Sequence, residues 1–137
     1  MPKQEVQLGS VDTSASRELA RRTAAAAAEK KASEIRVLEV GELLAIADFF
    51  VLCSAANPRQ MDVIAEEVEQ AASAAGYPAT RREGELDSGW VVRDFGEVVV
   101  HVFTEDQRRV YDLERLWREA PAEDYGPAET GPTSRPA

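Results

Sequence analysis

Residues 49–54 (FFVLCS) constrain the fold more than any other part of this chain. The run is apolar at nearly every position and is bounded by Asp48 and by a polar turn, which is typical of a strand buried on both faces. Such a strand lies in the middle of a sheet and needs a packing layer on each side. The sequence therefore predicts a layered α/β or α+β domain built around this strand.

The segment that follows carries signals for both ends of a helix. Asn57 suits the N-cap, Pro58 the first helical position, Gln60 a capping box and Gly76 the stop. The apolar positions recur with helical spacing at Met61, Ile64, Ala65, Val68, Ala72 and Ala75. We expect this helix to cover one face of the central strand.

The remaining elements extend the same sheet. We predict a helix over 14–31, strands over 35–40, 78–83, 90–94 and 97–103, and a last helix over 104–119 that opens with a capping box at Thr104 and Gln107. Pro78 favours an edge position for its strand, because proline donates no ladder hydrogen bond. Phe95 and Gly96 form a two-residue turn that pairs residue 90 with 101, 92 with 99 and 94 with 97. The predicted fold is a single mixed five-stranded sheet flanked by helices.

Composition divides the chain into three parts. Residues 1–13 are expected to be a flexible lead, residues 14–119 a single domain, and residues 120–137, rich in Pro, Gly and Glu, a disordered tail. Residues 1–10 lack the basic-then-apolar pattern of a secretory signal, and no apolar run approaches the roughly 18 residues of a membrane span. We therefore expect a cytoplasmic protein with no membrane contact.

The charge of the chain favours a basic protein as the partner. The formal net charge is −9 at pH 7, and residues 14–119 account for −6 of it, with 14 Lys and Arg against 20 Asp and Glu. Nucleic-acid binding draws its affinity from Lys and Arg, so we expect little direct contact with nucleic acid. Acidity by itself also serves to keep a small domain soluble.

The sequence offers no catalytic set, metal site or cofactor motif. His101 and Cys53 are the single histidine and cysteine, and Cys53 lies in the apolar run, where it behaves as a small hydrophobic residue. Asp94 and Glu97 face each other in the predicted hairpin, but two acids flanking a turn are usually solvated. The chain has no phosphate-binding loop, dinucleotide fingerprint or zinc spacing. We expect a binding protein and not an enzyme.

Residues 90–117 hold most of the aromatic side chains and form the candidate binding surface. In the predicted hairpin one face carries Trp90, Val92, Asp94, Val99, His101 and Phe103. In the last helix the inward stripe is predicted to be Val110, Leu113, Leu116 and Trp117. Tyr111 then lies roughly 160° from the centre of that stripe at about 100° per residue. The core does not need this tyrosine, which makes it a candidate contact residue.

Four blocks of this sequence resemble the Iojap, or ribosomal silencing factor, family. They are ADFFVLCSAANPRQ at 47–60, REG at 82–84, GWVVRDFGEVVVHVFTED at 89–106 and RRVYDLERLW at 108–117. The similarity covers residues 14–117 and keeps the order of the blocks. One departure is the Ala55-Ala56-Asn57 turn, where the family has a Gly/Ser/Thr-rich turn before the Arg59-Gln60 pair.

The resemblance implies a translation repressor. It implies binding to the large ribosomal subunit at its fourteenth ribosomal protein, steric blocking of small-subunit joining during starvation or stationary phase, and a homodimer when the protein is free. It also implies a nucleotidyltransferase-like fold without the catalytic acids, and an anchoring role for Arg59 and Gln60 in their loop. The implied contact residues are Trp90, Asp94, Phe95 and Tyr111, with Glu83, His101, Phe103 and Glu105 beside them. The alternatives are a homodimeric scaffold and a nucleotidyltransferase-like enzyme.

Overall fold

The computed structural model describes residues 13–43 and 47–125, in which helices and strands alternate around one sheet. The elements are α1 (Ser14–Glu29), β1 (Ser33–Glu39), β2 (Phe49–Ala55), α2 (Pro58–Ala74), β3 (Arg81–Glu83), a 3₁₀ turn (Leu86–Ser88), β4 (Trp90–Asp94), β5 (Val98–Thr104), α3 (Glu105–Tyr111), α4 (Leu113–Leu116) and β6 (Ala122–Tyr125). The strands form a mixed sheet in the order β3-β4-β5-β2-β1-β6. The predicted fold class is confirmed, with six strands instead of five.

Strand β2 occupies the middle of this sheet. It pairs in parallel with β5 on one side and antiparallel with β1 on the other, and all seven of its residues are buried. This confirms the prediction that the FFVLCS run is a central strand. A strand with both faces buried requires two packing layers, and the two layers here are of very different size.

The larger layer consists of α1 and α2. Leu19, Ala20, Ala24 and Ala27 of α1 are buried, and small alanine side chains allow the helix backbone to approach the sheet closely. The predicted stripe of α2 is buried from Met61 to Ala72. Together with one face of the sheet, these residues form the main core.

The predicted cap of α2 is present and also anchors the loop. The Asn57 side chain accepts a hydrogen bond from the backbone N–H of Gln60 at 2.8 Å, and the Gln60 side-chain oxygen accepts one from the Ala56 N–H at 2.7 Å. The Gln60 amide nitrogen donates to the carbonyls of Lys30 and Lys31 at 3.0 and 3.1 Å. Gln60 therefore fastens the turn before α2 to the end of α1, as the resemblance implies.

The smaller layer covers the opposite face of the sheet and is built by the chain after β5. Its buried residues are Leu38, Val40, Ala47, Phe50, Leu52, Phe103 and Ala120, with Trp90, Val99, Leu113 and Trp117 partly buried against them. Among the described residues, the short helices α3 and α4 and the residues that follow pack here, and Trp90, Val92 and Val99 on this face stay partly exposed. No helix within the described residues has the length and apolar character of a membrane span.

Strand β6 lies where the composition predicted a disordered tail, so that prediction is wrong for residues 122–125. The strand pairs antiparallel with β1. Arg21 binds both carboxylate oxygens of Glu123 at 3.1 Å, and Arg36 donates to Asp124 at 2.9 Å. Pairing with the edge of β1 and binding by these two arginines order residues whose acidic composition predicted a disordered tail. Residues 1–12 and 126–137 of the predicted lead and tail lie outside the described residues.

The hairpin of β4 and β5 has a different register from the predicted one. Residues 90, 92 and 94 pair with 103, 101 and 99, a shift of two positions. Phe95 continues the strand, because its side chain enters the main core and its N–H donates to Val98 O at 2.9 Å, so the turn is Gly96-Glu97. Gly96 has the positive φ of 98°. A shift of two keeps every side chain on its predicted face, but Asp94 and Glu97 do not pair.

The predicted single last helix is broken at Asp112, which adopts a left-handed conformation with φ 48° and ψ 52°. Thr104 occupies the predicted N-cap position of α3, although its hydroxyl makes no cap hydrogen bond in the described structure. This left-handed residue ends α3 and begins α4, so the two do not form one continuous helix. Of the predicted inward stripe, Leu113 and Trp117 pack against the smaller layer, whereas the prediction is wrong for Val110 and Leu116, which are exposed.

Arg108 fixes the position of this broken helix. The side chain is 6% exposed, and its Nη1 donates to the Glu34 carbonyl at 2.7 Å and to Ser54 Oγ at 2.9 Å. Its Nε and Nη2 pair with the Glu114 carboxylate at 3.3 and 2.6 Å, across the Asp112 turn. One guanidinium thus joins α3, α4, β1 and β2, and it lowers the pKa of Glu114 against the opposing effect of burial.

Replacing Arg108 tests this anchor. Arg108→Ala leaves a half-buried carboxylate, a carbonyl and a hydroxyl without their donor, and should lower the free energy of unfolding by about 2–3 kcal/mol. Arg109→Ala, which removes a neighbouring exposed pair with Asp106, is the control and should change stability by less than about 0.5 kcal/mol. Urea unfolding of both variants would contradict the assignment if the two losses were equal.

Above the pH range in which the carboxylates titrate, we expect buried His101 to determine how the free energy of unfolding depends on pH. Burial lowers the pKa of His101 from its ordinary 6.5 to about 4, so the unfolded chain binds a proton before the folded one does as the pH falls. Stability is full above pH 6.5 and is lost towards pH 4, by about 2 kcal/mol between pH 7 and pH 5. Urea unfolding at these two pH values should show this loss in the native chain and not in His101→Asn. The same loss in both proteins would contradict the prediction.

Candidate protein-docking surface

Two aromatic rings meet at the accessible edge of the smaller layer. Trp90 begins β4 and Tyr111 ends α3, and their ring centroids lie 4.3 Å apart at an angle of 50°. Trp90 is half-buried, whereas Tyr111 is 42% exposed. Large rings of this kind supply much contact area with few rotatable bonds, as at the centres of protein interfaces. We refer to Trp90 and Tyr111 as the aromatic pair.

The broken helix explains how Tyr111 reaches Trp90. Because α3 ends immediately before the left-handed Asp112, Tyr111 is free to lie against the sheet, where it also contacts Phe103 with centroids 6.2 Å apart. Leu113 packs into the smaller layer as predicted. Val110 and Leu116, predicted to face inward, are instead 69% and 70% exposed. Val110 precedes Tyr111 on α3 and Leu116 ends α4, so each of the two short helices carries one exposed apolar side chain.

His101 and Phe103 form the floor under the aromatic pair. They are 7% and 1% exposed, so neither presents much side-chain area to a partner in this conformation. The Phe103 ring stacks on Trp90 at 5.1 Å and 24°. The Trp90 indole Nε1 donates a hydrogen bond to His101 Nδ1 at 3.2 Å, diagonally across the hairpin. The predicted proximity of His101 and Trp90 is therefore confirmed, although the two residues are not direct strand partners.

Phe50 and Trp117 support this floor from the sides. Phe50 contacts His101 at 4.7 Å between centroids, and Trp117 meets Phe50 edge-on at 5.8 Å. The chain of ring contacts therefore runs from β2 through β5 and β4 to α3. A continuous series of packed rings holds the accessible members in place, because each ring is restricted by the next.

A pocket of about 140 Å³ with a charged rim shares His101 with the floor of the aromatic pair. Its floor includes Val92, Val99 and His101, while Glu83 and Asp94 stand at the edge with Arg81. Arg81 pairs with Glu83 at 3.3 Å, and one Asp94 carboxylate oxygen accepts from the Gly96 N–H at 2.9 Å. The rim carries two carboxylates and one guanidinium, so its net charge is negative. We refer to Glu83 and Asp94 as the acidic rim.

The structure separates the remaining two predicted contact residues from this arrangement. Phe95 is 4% exposed and lies in the main core, on the helix-covered face of the sheet. In this conformation its ring packs in the core and is not part of the accessible face. Glu105 is exposed in the first turn of α3. The eight predicted residues thus divide into an accessible group, a buried floor and one residue on the opposite face.

Sequence reasoning did not single out Arg108, Phe50 or the exposure of Val110 and Leu116. Arg108 and Arg109 are identical in local sequence signal, and only the tertiary position of β1 and β2 distinguishes them. The apolar run places Phe50 in the central strand but carries no signal for its contact with His101. A helical projection broken at Asp112 would have found the exposed apolar pair, but Asp is a weak signal for a left-handed residue.

The polar groups of the described chain are not arranged for metal or thiol chemistry. Within residues 13–43 and 47–125, no three His, Cys, Asp or Glu side chains are grouped so that they could hold a metal ion. Burial raises the pKa of the Cys53 thiol to about 12, so this sulfur stays protonated at neutral pH. His101 Nδ1 is already occupied by the Trp90 N–H. What this face offers is apolar area and negative charge.

Comparison with known proteins gives one consistent family. The sequence profile of the family described as "RsfS: Ribosomal silencing factor during starvation" matches residues 13–136. The chain is 39% identical over 101 residues to the ribosomal silencing factor RsfS of Bacillus subtilis, covering 74% of this chain and 86% of that protein. It is 35% identical over 97 residues to the chloroplastic protein Iojap of Zea mays, covering 71% of this chain and 42% of that protein.

Solved structures agree with these matches. A crystal structure of a protein from Bacillus halodurans has a TM-score of 0.69 and 35% identity, and the alignment covers 80% of this chain and 99% of that one. A crystal structure from Chromobacterium violaceum has a TM-score of 0.72 and 28% identity, covering 74% and 85%. The chain belongs to the RsfS family of ribosomal silencing factors, which are regulatory proteins and not enzymes.

Proposed function

We propose that this protein silences translation by docking on the large ribosomal subunit through the aromatic pair and the acidic rim. The observation that carries the proposal is the contact of Trp90 with Tyr111, an accessible ring pair held on a buried aromatic floor. A rigid aromatic centre bordered by charge is the usual composition of a protein-binding hot spot. Membership of the ribosomal silencing family supplies the ribosome as the target.

The partner in this proposal is a basic ribosomal protein, the fourteenth of the large subunit, as the resemblance implies. Support comes from charge, since the chain carries −9 and the rim beside the aromatic pair bears the carboxylates of Glu83 and Asp94. A negative surface gains from a positively charged protein and is repelled by exposed phosphates. Direct contact with ribosomal RNA is accordingly small in this proposal, and the site of action is the cytoplasm.

The mechanism in this proposal is steric. A folded domain seated on the joining surface of the large subunit occupies space that the small subunit needs, so the two subunits stay apart and translation is repressed. No chemical step is required, which suits a face made of apolar area and charge. Silencing then depends only on occupancy, and therefore on affinity and protein concentration.

The free protein is a homodimer in this proposal, as the resemblance implies. Val110 and Leu116 support the idea, because two apolar side chains that are 69% and 70% exposed gain from being covered. They lie on the segment that carries Tyr111, so a second copy and the ribosome would compete for neighbouring surface. Sedimentation equilibrium of the free protein decides this point independently of ribosome binding.

Tyr111→Ala tests the docking surface. Loss of an anchoring ring should weaken binding to purified large subunits by about 2 kcal/mol, or roughly 30-fold in Kd. Tyr77 is the matched control, because it is 39% exposed and follows α2, which packs on the opposite face of the sheet. Tyr77→Ala should bind normally. Co-sedimentation of folded Tyr111→Ala at native affinity would exclude the surface proposed here.

A subunit-joining assay tests the steric mechanism. Large subunits saturated with the native protein should fail to join small subunits, and the fraction of joined ribosomes should fall in proportion to the bound protein. Tyr111→Ala at the same concentration should leave joining intact, because occupancy is lost. If the native protein were found on fully joined ribosomes in a sucrose gradient, the steric mechanism would be wrong even though binding had occurred.

A further inference from the structure

His101 is in direct contact with the docking surface and yet is not part of its accessible area. The side chain is 7% exposed, and its Nδ1 accepts the indole N–H of Trp90 at 3.2 Å. We propose that His101 is a positioning residue, which holds the Trp90 indole in the one orientation that the partner meets. This inference rests on the proposed function, because it assigns His101 a role in the same surface.

The hydrogen bond defines the protonation state of the imidazole. An indole nitrogen is only a donor, so Nδ1 must be an unprotonated acceptor, and the neutral ring carries its proton on Nε2. Nε2 is buried and has no hydrogen-bond partner among the described residues. A buried donor without an acceptor destabilises a fold, whereas an apolar ring of similar size would not. What histidine provides here and phenylalanine does not is the acceptor for Trp90.

Ring contacts alone do not determine in which direction the indole N–H of Trp90 points. The Phe103 ring stacks on the indole at 24°, and Tyr111 contacts it at 4.3 Å, so these two residues define the plane of the ring. An indole turned over within that plane would keep most of its stacking but would direct the N–H elsewhere. The bond to His101 selects one of these two arrangements.

This orientation determines what kind of group can recognise Trp90. The indole N–H is occupied inside the domain, so the accessible part of the side chain is apolar ring without a free donor. The complementary group on the partner is then an aliphatic side chain or a cation placed over the ring, and not a hydrogen-bond acceptor. A cation also matches the acidic rim formed by Glu83 and Asp94.

Positioning before binding has a measurable consequence. A side chain that is already ordered spares the ordering cost at association, which corresponds to about a threefold to tenfold change in Kd for one ring. His101→Phe keeps an aromatic ring in the floor and removes the acceptor. His101→Asn restores an acceptor, since its amide oxygen takes the place of Nδ1. The pair of variants separates positioning from packing.

The experiment combines ribosome binding with the indole N–H signal. His101→Phe should bind large subunits about threefold to tenfold more weakly, and His101→Asn should recover most of that loss. In ¹H–¹⁵N spectra the Trp90 indole N–H, assigned with Trp90→Phe, should exchange slowly with solvent in the native chain and in His101→Asn, and fast in His101→Phe. Urea unfolding confirms that each variant is folded. Native affinity in folded His101→Phe would overturn the inference, as would an unchanged exchange rate.

A double variant distinguishes positioning from direct contact. In the Trp90→Phe background there is no indole N–H to hold, so adding His101→Phe should not weaken binding further. A further loss would mean that His101 touches the partner itself and would overturn the inference. If the native chain does not bind large subunits at all, the proposed function fails, whereas the exchange measurement still reports on the role of His101.

Discussion

The guanidinium of Arg108 is the interaction on which the rest of the smaller layer depends. It reaches from α3 to the Glu34 carbonyl and to Ser54 Oγ, and it pairs with Glu114 beyond the Asp112 turn. Buried arginine is stable only when its donors are used, so these partners fix the helix at one distance from the sheet. With α3 fixed, its last residue can rest on Trp90. A buried guanidinium and its half-buried carboxylate partner thus determine where an accessible ring lies.

The parts of the fold that could be predicted are those whose signals are local. The apolar run of β2 and the Asn57-Pro58 cap of α2 depend on residues within a few positions, and both are present. The parts that failed depend on distant partners. Strand β6 is ordered because it pairs with the edge of β1 and because Arg36 binds Asp124. Both partners lie far away in the sequence, so the composition of residues 122–125 does not indicate a strand. The hairpin register shifted because Phe95 gains more from the main core than from a turn.

The same division applies to the candidate site. Alternation along β4 and β5 placed Trp90, His101 and Phe103 on one face, and a two-residue error in register preserved this, because side-chain direction repeats every two residues. Tyr111 was selected from a helical projection that assumed an unbroken helix. The break at Asp112 invalidated that projection, yet Tyr111 is accessible all the same. How deeply each ring is buried could not be predicted, since burial depends on the anchor supplied by Arg108.

The unequal packing layers on the two faces of the sheet explain how one small domain can be stable and still present an apolar binding surface. The helix-covered face carries most of the core, so the opposite face is free to keep rings only partly covered. Partly covered rings are a liability when mobile, because they bind many surfaces weakly. Here the floor of Phe103 and His101 restricts Trp90, and the indole N–H is satisfied within the domain. Selectivity must then come from ring shape and from the charges of Glu83 and Asp94, which together favour a basic protein over other apolar surfaces.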